Sequence, residues 1–440
     1  MKKTILLVVA VAASCCSVNS FAEIQSSVAD DYESYLAGLF DHFHRNPELS
    51  LIENQTAARM AQELRAAGFE VTEGVGGTGV VAMMQNGEGP MVMMRADMDG
   101  LPVEEKSGLA NASVATQTSP ITGNVVPVMH ACGHDVHITS LVGTARYMSS
   151  HKNGWSGTLM LLVQPAEERA LGARAMKEDD IWGRFGTPDY ALAFHVSSAD
   201  EVGKINITEG SPYAGADTVD IVIHGVGAHG AHPHRGKDPI VLGSQIVLAL
   251  QTLVARELSP RDPGVVTVGS FHAGAKHNII SDQAHLQLTV RSTSEETRKL
   301  LLEGIERIAV NMGRVAGLPD DKLPEVTISE ESVPPTINNA ALARRHKIAW
   351  SEQIGAEQVV DIPTKGMGAE DFPFFSVDPA IKSVYWSIGG TPKEDFEREA
   401  QGGAPVPSHH SPLFKISPEP AVRRGVESTV VALMTLMGDK

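Results

Sequence analysis

The chain has 440 residues, a formal net charge of −17 and 42% hydrophobic residues. This length exceeds what a single hydrophobic core usually serves, and it predicts two domains. The hydrophobic and charged fractions are those of a soluble globular protein. The negative charge argues against nucleic acid or an anionic membrane surface as the partner, because both would repel the chain.

The first 22 residues predict a secretory signal peptide. Two lysines precede an apolar run at residues 5–13 that is too short to span a bilayer, and residues 20–22 form a small-x-small cleavage site. Cleavage after Ala22 would give a periplasmic or secreted protein without membrane contact, and a retained membrane anchor is the alternative. The mature chain would keep Cys132 as its only thiol. Metal ligation gives such a thiol a reason to persist in an oxidising compartment.

Helices and buried strands alternate in the first half of the chain. Apolar residues at helical spacing predict a helix over residues 30–68, and a Ser-, Thr-, Asn- and Pro-rich stretch predicts a loop at 103–128. Short apolar runs predict strands, and a further helix is expected after them. These elements cover residues 80–84, 91–94, 158–163 and 191–194 for the strands and 141–148 for the helix. Polar residues follow the last three strands, where open α/β sheets place their sites.

The pattern changes near residue 210, where a compact α+β unit is predicted. Its strand, helix, two strands and helix cover residues 219–224, 238–257, 265–271, 285–290 and 294–316. The chain then rejoins the first domain and ends in a helix at 419–437. We therefore predict an α/β fold of two domains, the second inserted into the first. The predicted boundaries are 1–22 for the signal peptide, 23–210 and 323–440 for the first domain, and 211–322 for the insertion.

A short segment, residues 129–137, carries one thiol, three imidazoles and a carboxylate. Cys132 and His134 are alternate residues, so a bent or extended backbone can direct both side chains at one ion. Thiolate and imidazole are ligands that suit zinc and its neighbours in the first transition row. The alternative is a histidine-rich surface loop beside a buried cysteine.

The acidic pair Glu167–Glu168 follows a predicted strand. If this segment is extended, the two side chains point opposite ways, which favours one metal ligand and one carboxylate that moves protons. A solvated acidic pair that caps the strand is the alternative.

Two further histidines complete the candidate ligand set, which is Cys132, His134, Glu168, His195 and His410. One tetrahedral zinc ion cannot use five ligands and still hold water, but two ions can. We expect two divalent ions, zinc or manganese first, with cobalt and nickel chemically reasonable.

Several motifs together resemble those of the metal-dependent amidohydrolases that include hippurate hydrolase, N-acyl-amino-acid hydrolases and auxin-conjugate hydrolases, relatives of glutamate carboxypeptidase. They occur in the family's order and cover nearly all of the mature chain. The matching segments are HRNPEL (44–49), RADMDGLPVEE (95–105), MHACGHDVH (129–137), QPAEE (164–168), AFHV (193–196), GAHGAHPH (227–234), HNIISD (277–282), GAEDF (368–372) and HHSP (409–412).

The resemblance implies a zinc-peptidase-like α/β catalytic domain with an inserted ferredoxin-like domain that serves as a lid and in dimerisation. It also implies the two-metal site formed by the five ligands above. The roles that it implies for other residues are general base for Glu167, oxyanion stabilisation across a subunit interface for His229, orientation of a ligand for Asp99, and binding of a substrate carboxylate for Asn278 and Arg291.

Three assignments stay open at this point. His232 and His234 are rivals of His229, and His409 is a rival of His410. Asp97 occupies the place of a metal-binding histidine in related branches, so a metal role for Asp97 is also open.

The predicted function is hydrolysis of the amide bond of an N-acyl or N-aroyl amino acid to a carboxylic acid and a free amino acid. The alternatives are a dipeptidase or metallocarboxypeptidase with the same two-metal centre, and a non-catalytic metal- or peptide-binding module. The expected partners are a small-molecule N-acyl amino acid or dipeptide and a second copy of the chain, in a homodimer or higher homo-oligomer.

Overall fold

A computed structural model describes residues 21–362 and 366–438. Residues 1–20 of the predicted signal peptide lie outside the described residues. The helices are α1 (Phe21–Asp31), α2 (Ala37–Arg45), α3 (Asn54–Ala66), α4 (His134–Ser150), α5 (Gly172–Glu178), α6 (Ile181–Phe185), α7 (Pro239–Thr252), α8 (Glu295–Val315), α9 (Ala340–Trp350), α10 (Lys393–Ala400) and α11 (Pro418–Met437). The strands are β1 (Glu70–Val75), β2 (Gly79–Asn86), β3 (Met91–Asp97), β4 (Thr116–Thr118), β5 (Val125–Pro127), β6 (Gly157–Gln164), β7 (Tyr190–Glu201), β8 (Ile205–Asn206), β9 (Gly215–His224), β10 (Ala228–His229), β11 (Gly264–Ala273), β12 (Ile279–Ile280), β13 (Gln283–Ser292), β14 (Glu325–Ile328), β15 (Val359–Val360) and β16 (Lys382–Thr391).

The larger domain is built on an eight-stranded sheet in the order β1-β2-β6-β3-β7-β16-β8-β15. Its central strands β6, β3, β7 and β16 are parallel. Alternate residues of β6 point to opposite faces, so Leu159 and Leu161 pack with α4 and α11, whereas Met160 and Leu162 pack with α5. Burial on both faces explains why these strands read as continuous apolar runs.

A second, four-stranded antiparallel sheet has the order β11-β13-β9-β14. Helices α7 and α8 cover one face and bury Leu242, Ile246, Leu301 and Ile305 in a core of their own. Because the chain order is β9-α7-β11-β13-α8-β14, the arrangement is the ferredoxin-like split βαβ. The mixed α/β fold with a separate smaller unit is thus the predicted one. The small sheet includes β14, which lies beyond the predicted end of the insertion at residue 322.

Within the described part of the chain, one helix, Pro239–Glu257, is long and apolar enough to cross a membrane by these two criteria alone. Core helices of soluble proteins and signal sequences meet the same criteria. Leu242, Ile246 and Leu250 of this helix are buried against the small sheet, whereas Ile240, Val241 and Leu248 are exposed.

The single helix predicted over residues 30–68 is wrong. The chain leaves the helix after Arg45 and starts α3 only at Asn54. Pro47 explains the break, because proline cannot donate the helical hydrogen bond and restricts the residue before it. The intervening turn brings Glu48 against Gly100, whose N–H donates to the Glu48 carbonyl at 2.7 Å.

Three other differences concern strands. The predicted loop at 103–128 contains the short hairpin of β4 and β5. The predicted strand 191–194 extends over Tyr190–Glu201, so His195 lies inside a strand and not at its end. The sequence analysis also missed β16, which pairs with β7 over nine positions near the centre of the large sheet.

Candidate metal centre

The cysteine–histidine segment reaches the site through a left-handed turn at the start of α4. Gly133 has φ +83°, and a Cβ on this residue would lie 2.4 Å from Cγ1 of Val196. Both facts require glycine at this position. The turn places Cys132 just before the helix and His134 in its first turn, and both side chains are buried.

The acidic pair follows β6 in a tight turn and not in an extended segment. Ala166 is left-handed, with φ +47°, and Glu167–Arg169 form one 3₁₀ turn. The expectation that the two carboxylates point opposite ways is therefore wrong. Oε2 of Glu167 and Oε1 of Glu168 each lie 3.9 Å from Nε2 of His134.

The five candidate ligands converge, although they come from four separate parts of the chain. Sγ of Cys132 lies 3.4 Å from Nε2 of His195, and Nε2 of His410 lies 3.3 Å from Oε2 of Glu168. Cys132, His134 and His195 form one group of potential ligands with atoms within 4.8 Å of one another, and Cys132, Glu168 and His410 form a second. Cys132 belongs to both groups, so a pair of adjacent ions fits the arrangement.

The donor atoms point into the cluster with unused coordination capacity. Nδ1 of His134 bonds to the backbone oxygen of Asp99 at 2.8 Å, and Nδ1 of His195 bonds to the backbone oxygen of Val196 at 2.6 Å. Each contact leaves Nε2 as the free ligand atom. Among the described residues, Nε2 of His134 and Oε1 of Glu168 are buried without a hydrogen-bond partner. Such atoms need a partner, and a divalent cation suits this mixture of thiol, imidazole and carboxylate.

The electrostatics of the cluster also favour a cation. Burial, and then the neighbouring Glu168 and Glu167, raise the pKa of the Cys132 thiol well above its ordinary value. Burial and the carboxylate of Glu370 raise the pKa of Glu167 in the same way. Burial lowers the pKa of His134, but Asp97 and Asp99 outweigh it and raise that pKa to about 10. A cation placed among these groups would reverse all three tendencies.

The two adjacent histidines near the C-terminus have different surroundings. Nε2 of His409 accepts a hydrogen bond from the backbone N–H of Ser198 at 3.1 Å, and its Nδ1 lies 3.6 Å from Sγ of Cys132. His410 is left-handed, with φ +65°, and directs Nε2 at Glu168. His410 belongs to a potential ligand group with Cys132 and Glu168, whereas Nε2 of His409 is already used.

Asp99 connects the two motifs. Its Oδ2 accepts hydrogen bonds from the hydroxyl of Ser50 at 2.7 Å and the backbone N–H of Glu168 at 3.0 Å. Its backbone oxygen orients His134, as described above. The carboxylate therefore holds the acidic turn in place from one side.

A buried ionic network lies beneath the cluster, and the sequence analysis missed it. Arg95 is fully buried and donates to Asp97 and Glu370 at 2.7 Å each, and to Gln164 at 2.8 Å. The hydroxyl of Tyr385 donates to Glu370 at 2.6 Å. An arginine near the end of an apolar strand was the available signal, since burial of a charge requires a partner. The oxygens of Asp97 bond Arg95 and Nδ1 of His137, and its metal role stays open.

The structure places the other predicted residues on the small domain. His229 is exposed on β10, and its Nδ1 accepts a hydrogen bond from the N–H of Ala231 at 3.0 Å. The backbone oxygen of Asn278 accepts from Gly230 at 2.8 Å. Arg291 is half-buried on β13, where burial lowers the pKa of its guanidinium. Their roles stay predictions, because they involve a substrate and a second subunit.

The fold and the ligand cluster together define a metal-dependent hydrolase of the amidohydrolase and peptidase class. The sequence model of peptidase family M20/M25/M40 matches residues 93–401, and the chain belongs to this family.

The relatives of this chain include a hippurate hydrolase and a carboxypeptidase. The chain is 36% identical to a hippurate hydrolase of Campylobacter jejuni over 334 residues, which cover 76% of this chain and 82% of the relative. It is 36% identical to thermostable carboxypeptidase 1 of Saccharolobus solfataricus over 385 residues, 87% of this chain and 90% of the relative. The crystal structure of a dinuclear metal-binding M20 peptidase of Bacillus subtilis superposes with a TM-score of 0.74 at 26% identity, covering 92% of this chain and 99% of that chain.

Proposed function

We propose that this protein is a metal-dependent amidase that hydrolyses N-acyl or N-aroyl amino acids to a carboxylic acid and a free amino acid. The observation that carries the proposal is the convergence of five side chains that can ligate metal, with the carboxylate of Glu167 beside two of them, His134 and Glu168. The similarity to a hippurate hydrolase supports the choice of substrate class.

The ligand set would be the five side chains of the two groups that share Cys132, namely Cys132, His134, Glu168, His195 and His410. These residues would hold two divalent ions, zinc or manganese first and cobalt or nickel as alternatives, which when bound would polarise an amide carbonyl and acidify water. Gly133 and Asp99 hold the ligand segments in the required orientation, through the turn and the hydrogen bonds described above.

Glu167 is the proposed general base. Its carboxylate lies beside His134, and Glu167 immediately precedes the proposed ligand Glu168 in the chain. Glu167 also groups with two further acidic residues, Glu370 and Asp371. Burial and these neighbouring charges raise its pKa in the metal-free chain, and bound cations would oppose that shift, so the assignment rests on the position of the carboxylate beside the candidate ligands. Glu167 takes the proton of the attacking water and returns it to the amide nitrogen as the bond breaks.

The small domain would close over the substrate. Arg291 and Asn278 would bind the substrate carboxylate, and His229 of a second subunit would stabilise the oxyanion. The exposed position of His229 on the small domain agrees with contact to another chain. A homodimer or a higher homo-oligomer is therefore part of the proposal.

The test compares Glu167→Gln and Glu168→Gln with the wild type on hippurate-like substrates. Released amino acid is measured, and bound metal is counted by elemental analysis. Loss of a general base predicts a fall in kcat of about 10²–10⁴-fold for Glu167→Gln with metal content unchanged. Glu168→Gln is expected to lose metal as well, and Glu178→Gln on the exposed end of α5 is the matched control. Full turnover by Glu167→Gln at normal metal content would overturn the assignment.

A dipeptidase or carboxypeptidase activity is the second candidate, favoured by the similarity to a carboxypeptidase. A panel that pairs N-acyl amino acids with dipeptides of the same C-terminal residue separates the two, by the ratio of their kcat/KM values. If no member of the panel is hydrolysed by metal-loaded protein, a non-catalytic binding module becomes the better reading.

We also propose export from the cytoplasm, on the basis of residues 1–22 alone. N-terminal sequencing of protein recovered from a periplasmic or culture fraction should begin at Glu23. Recovery of chains that retain Met1 would contradict the proposal.

A further inference from the structure

Glu53 is a buried carboxylate outside the proposed ligand set. It immediately precedes α3, and its exposed fraction is 0%. Oε1 accepts hydrogen bonds from the backbone N–H of Leu51 at 3.0 Å and of Ala166 at 2.8 Å. Oε2 accepts a hydrogen bond from the hydroxyl of Thr78 at 2.6 Å. One side chain therefore joins three segments that are far apart in the sequence.

The usual reason for an acid at this position does not apply. A side chain that precedes a helix commonly caps its first N–H groups. Here a different acid does so, since Oε2 of Glu48 accepts from the N–H of Thr56 at 2.7 Å and from its hydroxyl at 2.9 Å. The side chain of Glu53 makes no capping bond within the described chain. Its burial serves the contact with Ala166 instead.

Both N–H groups on Oε1 belong to left-handed residues that are not glycine. Leu51 has φ +75° and Ala166 has φ +47°. This conformation costs a residue with a side chain of order 1 kcal/mol or more, and it persists only where surrounding contacts impose it. The Glu53 carboxylate supplies such a contact at both positions at once.

Ala166 is the pivot of the acidic turn. Its backbone oxygen accepts hydrogen bonds from the N–H groups of Arg169, Leu171 and Gly172, and the next two residues are the proposed base and ligand. Glu53 holds the N–H on one side of this turn, and Asp99 holds the N–H of Glu168 on the other. The two carboxylates together fix the direction in which the acidic pair points.

We propose that Glu53 is a positioning residue that, by accepting the N–H of Ala166, fixes the left-handed turn that aims Glu167 at the substrate and Glu168 at the metal ions. The proposal rests on the proposed function, because it assigns those two roles to the pair. It extends that function because the orientation of the acidic pair would then depend on a residue more than 100 positions away in the sequence. Orienting contacts of this kind change metal affinity or activity by about 10–100-fold.

The test uses Glu53→Ala, Glu53→Gln and a matched control, Glu48→Ala, which removes the buried carboxylate that caps the same helix. Glu53→Ala is expected to lower kcat about 10–100-fold with KM little changed, and to weaken Mn²⁺ binding to the metal-free protein by about tenfold. Glu53→Gln keeps an oxygen that can accept both N–H bonds, so its kcat should stay within about threefold of the wild type. Glu48→Ala should lose thermal stability but keep kcat and Mn²⁺ affinity per folded molecule.

Two results would overturn the proposal. One is a Glu53→Ala variant whose kcat and Mn²⁺ affinity per folded molecule match those of the wild type. The other is a tenfold loss in Glu53→Gln, which would assign the effect to the charge and not to the accepted hydrogen bonds; this variant also decides the matter if Glu53→Ala does not fold. The Mn²⁺ titration is independent of turnover, so a wild type inactive on every amide would refute the proposed function and still leave the positioning role open to this measurement.

Discussion

Replacement of Arg95 by methionine should destabilise the larger domain strongly. The guanidinium is fully buried and bonds Asp97 and Glu370 at 2.7 Å each. Methionine fills similar volume but leaves these carboxylates without their counter-charge. Breaking one buried ion pair costs about 3–5 kcal/mol. Three carboxylates lose their partner here, because Asp371 also lies 3.4 Å from the guanidinium, so we expect a loss of at least about 5 kcal/mol. At about 2 °C per kcal/mol for a large domain, the melting temperature falls by roughly 10 °C.

The measurement is calorimetric unfolding at pH 7 in the presence of a chelator, so that metal binding does not contribute. Arg45→Met is the matched control, because the Arg45–Asp41 pair is nearly half exposed on both sides. Such pairs contribute about 0–1 kcal/mol, and this variant should melt within about 2 °C of the wild type. The deficit of Arg95→Met should shrink as the pH is lowered, because protonation removes the uncompensated negative charges.

Two outcomes would refute this reasoning. A loss below about 1 kcal/mol for Arg95→Met would mean that the network is solvated or rearranges. If the stability difference between Arg95→Met and the wild type grows as the pH is lowered, the lost interaction is not the attraction between the guanidinium and the ionised carboxylates. Glu370→Gln supplies a further check, since it should cost less in the Arg95→Met background than alone if the two groups are coupled.

Three further predictions concern protonation, backbone conformation and metal. Burial lowers the pKa of His44, but Asp135 and Glu105 outweigh burial and raise that pKa to about 10. The protonated imidazole therefore stabilises the fold by at most about 5 kcal/mol. This stabilisation is fully present below pH 6.5, the ordinary pKa of histidine, and is lost as the pH rises towards 10. Denaturant titrations of His44→Gln and the wild type should therefore differ most near pH 6 and converge near pH 10, and a gap that is constant with pH would contradict the ion pair. Gly133→Ala places a side chain on a left-handed residue and against Val196. It should lower the free energy of unfolding by about 2 kcal/mol or more, and it should also lower the metal content. A normal metal content would argue against a role for the turn in ligation. Removal of divalent cations by a chelator should lower the melting temperature reversibly. Added Zn²⁺ or Mn²⁺ at a hundredfold excess over Kd should raise the free energy of unfolding by about 3 kcal/mol. A melting temperature that changes with neither the chelator nor the added ions would show that the cluster binds no cation.

The elements that the sequence predicted well are those whose pattern follows from burial alone. The central strand predicted at residues 158–163 is apolar from Leu159 to Val163 and is buried there on both faces, so its identity does not depend on its neighbours. The helix at 294–316 has an acidic first turn and an apolar stripe, and it is observed at Glu295–Val315. The helix over 30–68 failed because its periodicity continues on both sides of Pro47. The strand Lys382–Thr391 was not predicted, because its pairing with Tyr190–Glu201 depends on the order of strands in the sheet, which the local sequence does not encode.

The site shows the same division between local and distant information. Cys132 and His134 lie in one turn, and their ability to bind a metal ion can be predicted from the nine residues of segment 129–137 alone. The contact of Arg95 with Glu370 joins residues 275 positions apart, and no local pattern encodes it. The direction of the Glu167–Glu168 pair could not be predicted either, since it depends on a left-handed alanine that propensity disfavours.

Left-handed backbone conformations recur in the segments that carry the proposed ligands. Three segments that carry proposed ligands each contain a left-handed residue, namely Gly133, Ala166 and His410. The backbone N–H of each residue donates a hydrogen bond within the protein. The acceptors are the backbone oxygen of His130 for Gly133, at 3.2 Å, the backbone oxygen of Ala131 for His410, at 2.9 Å, and Oε1 of Glu53 for Ala166, at 2.8 Å. Strained turns persist only where folded contacts impose them, so these three hydrogen bonds between protein groups help to set the directions in which the proposed ligand side chains point.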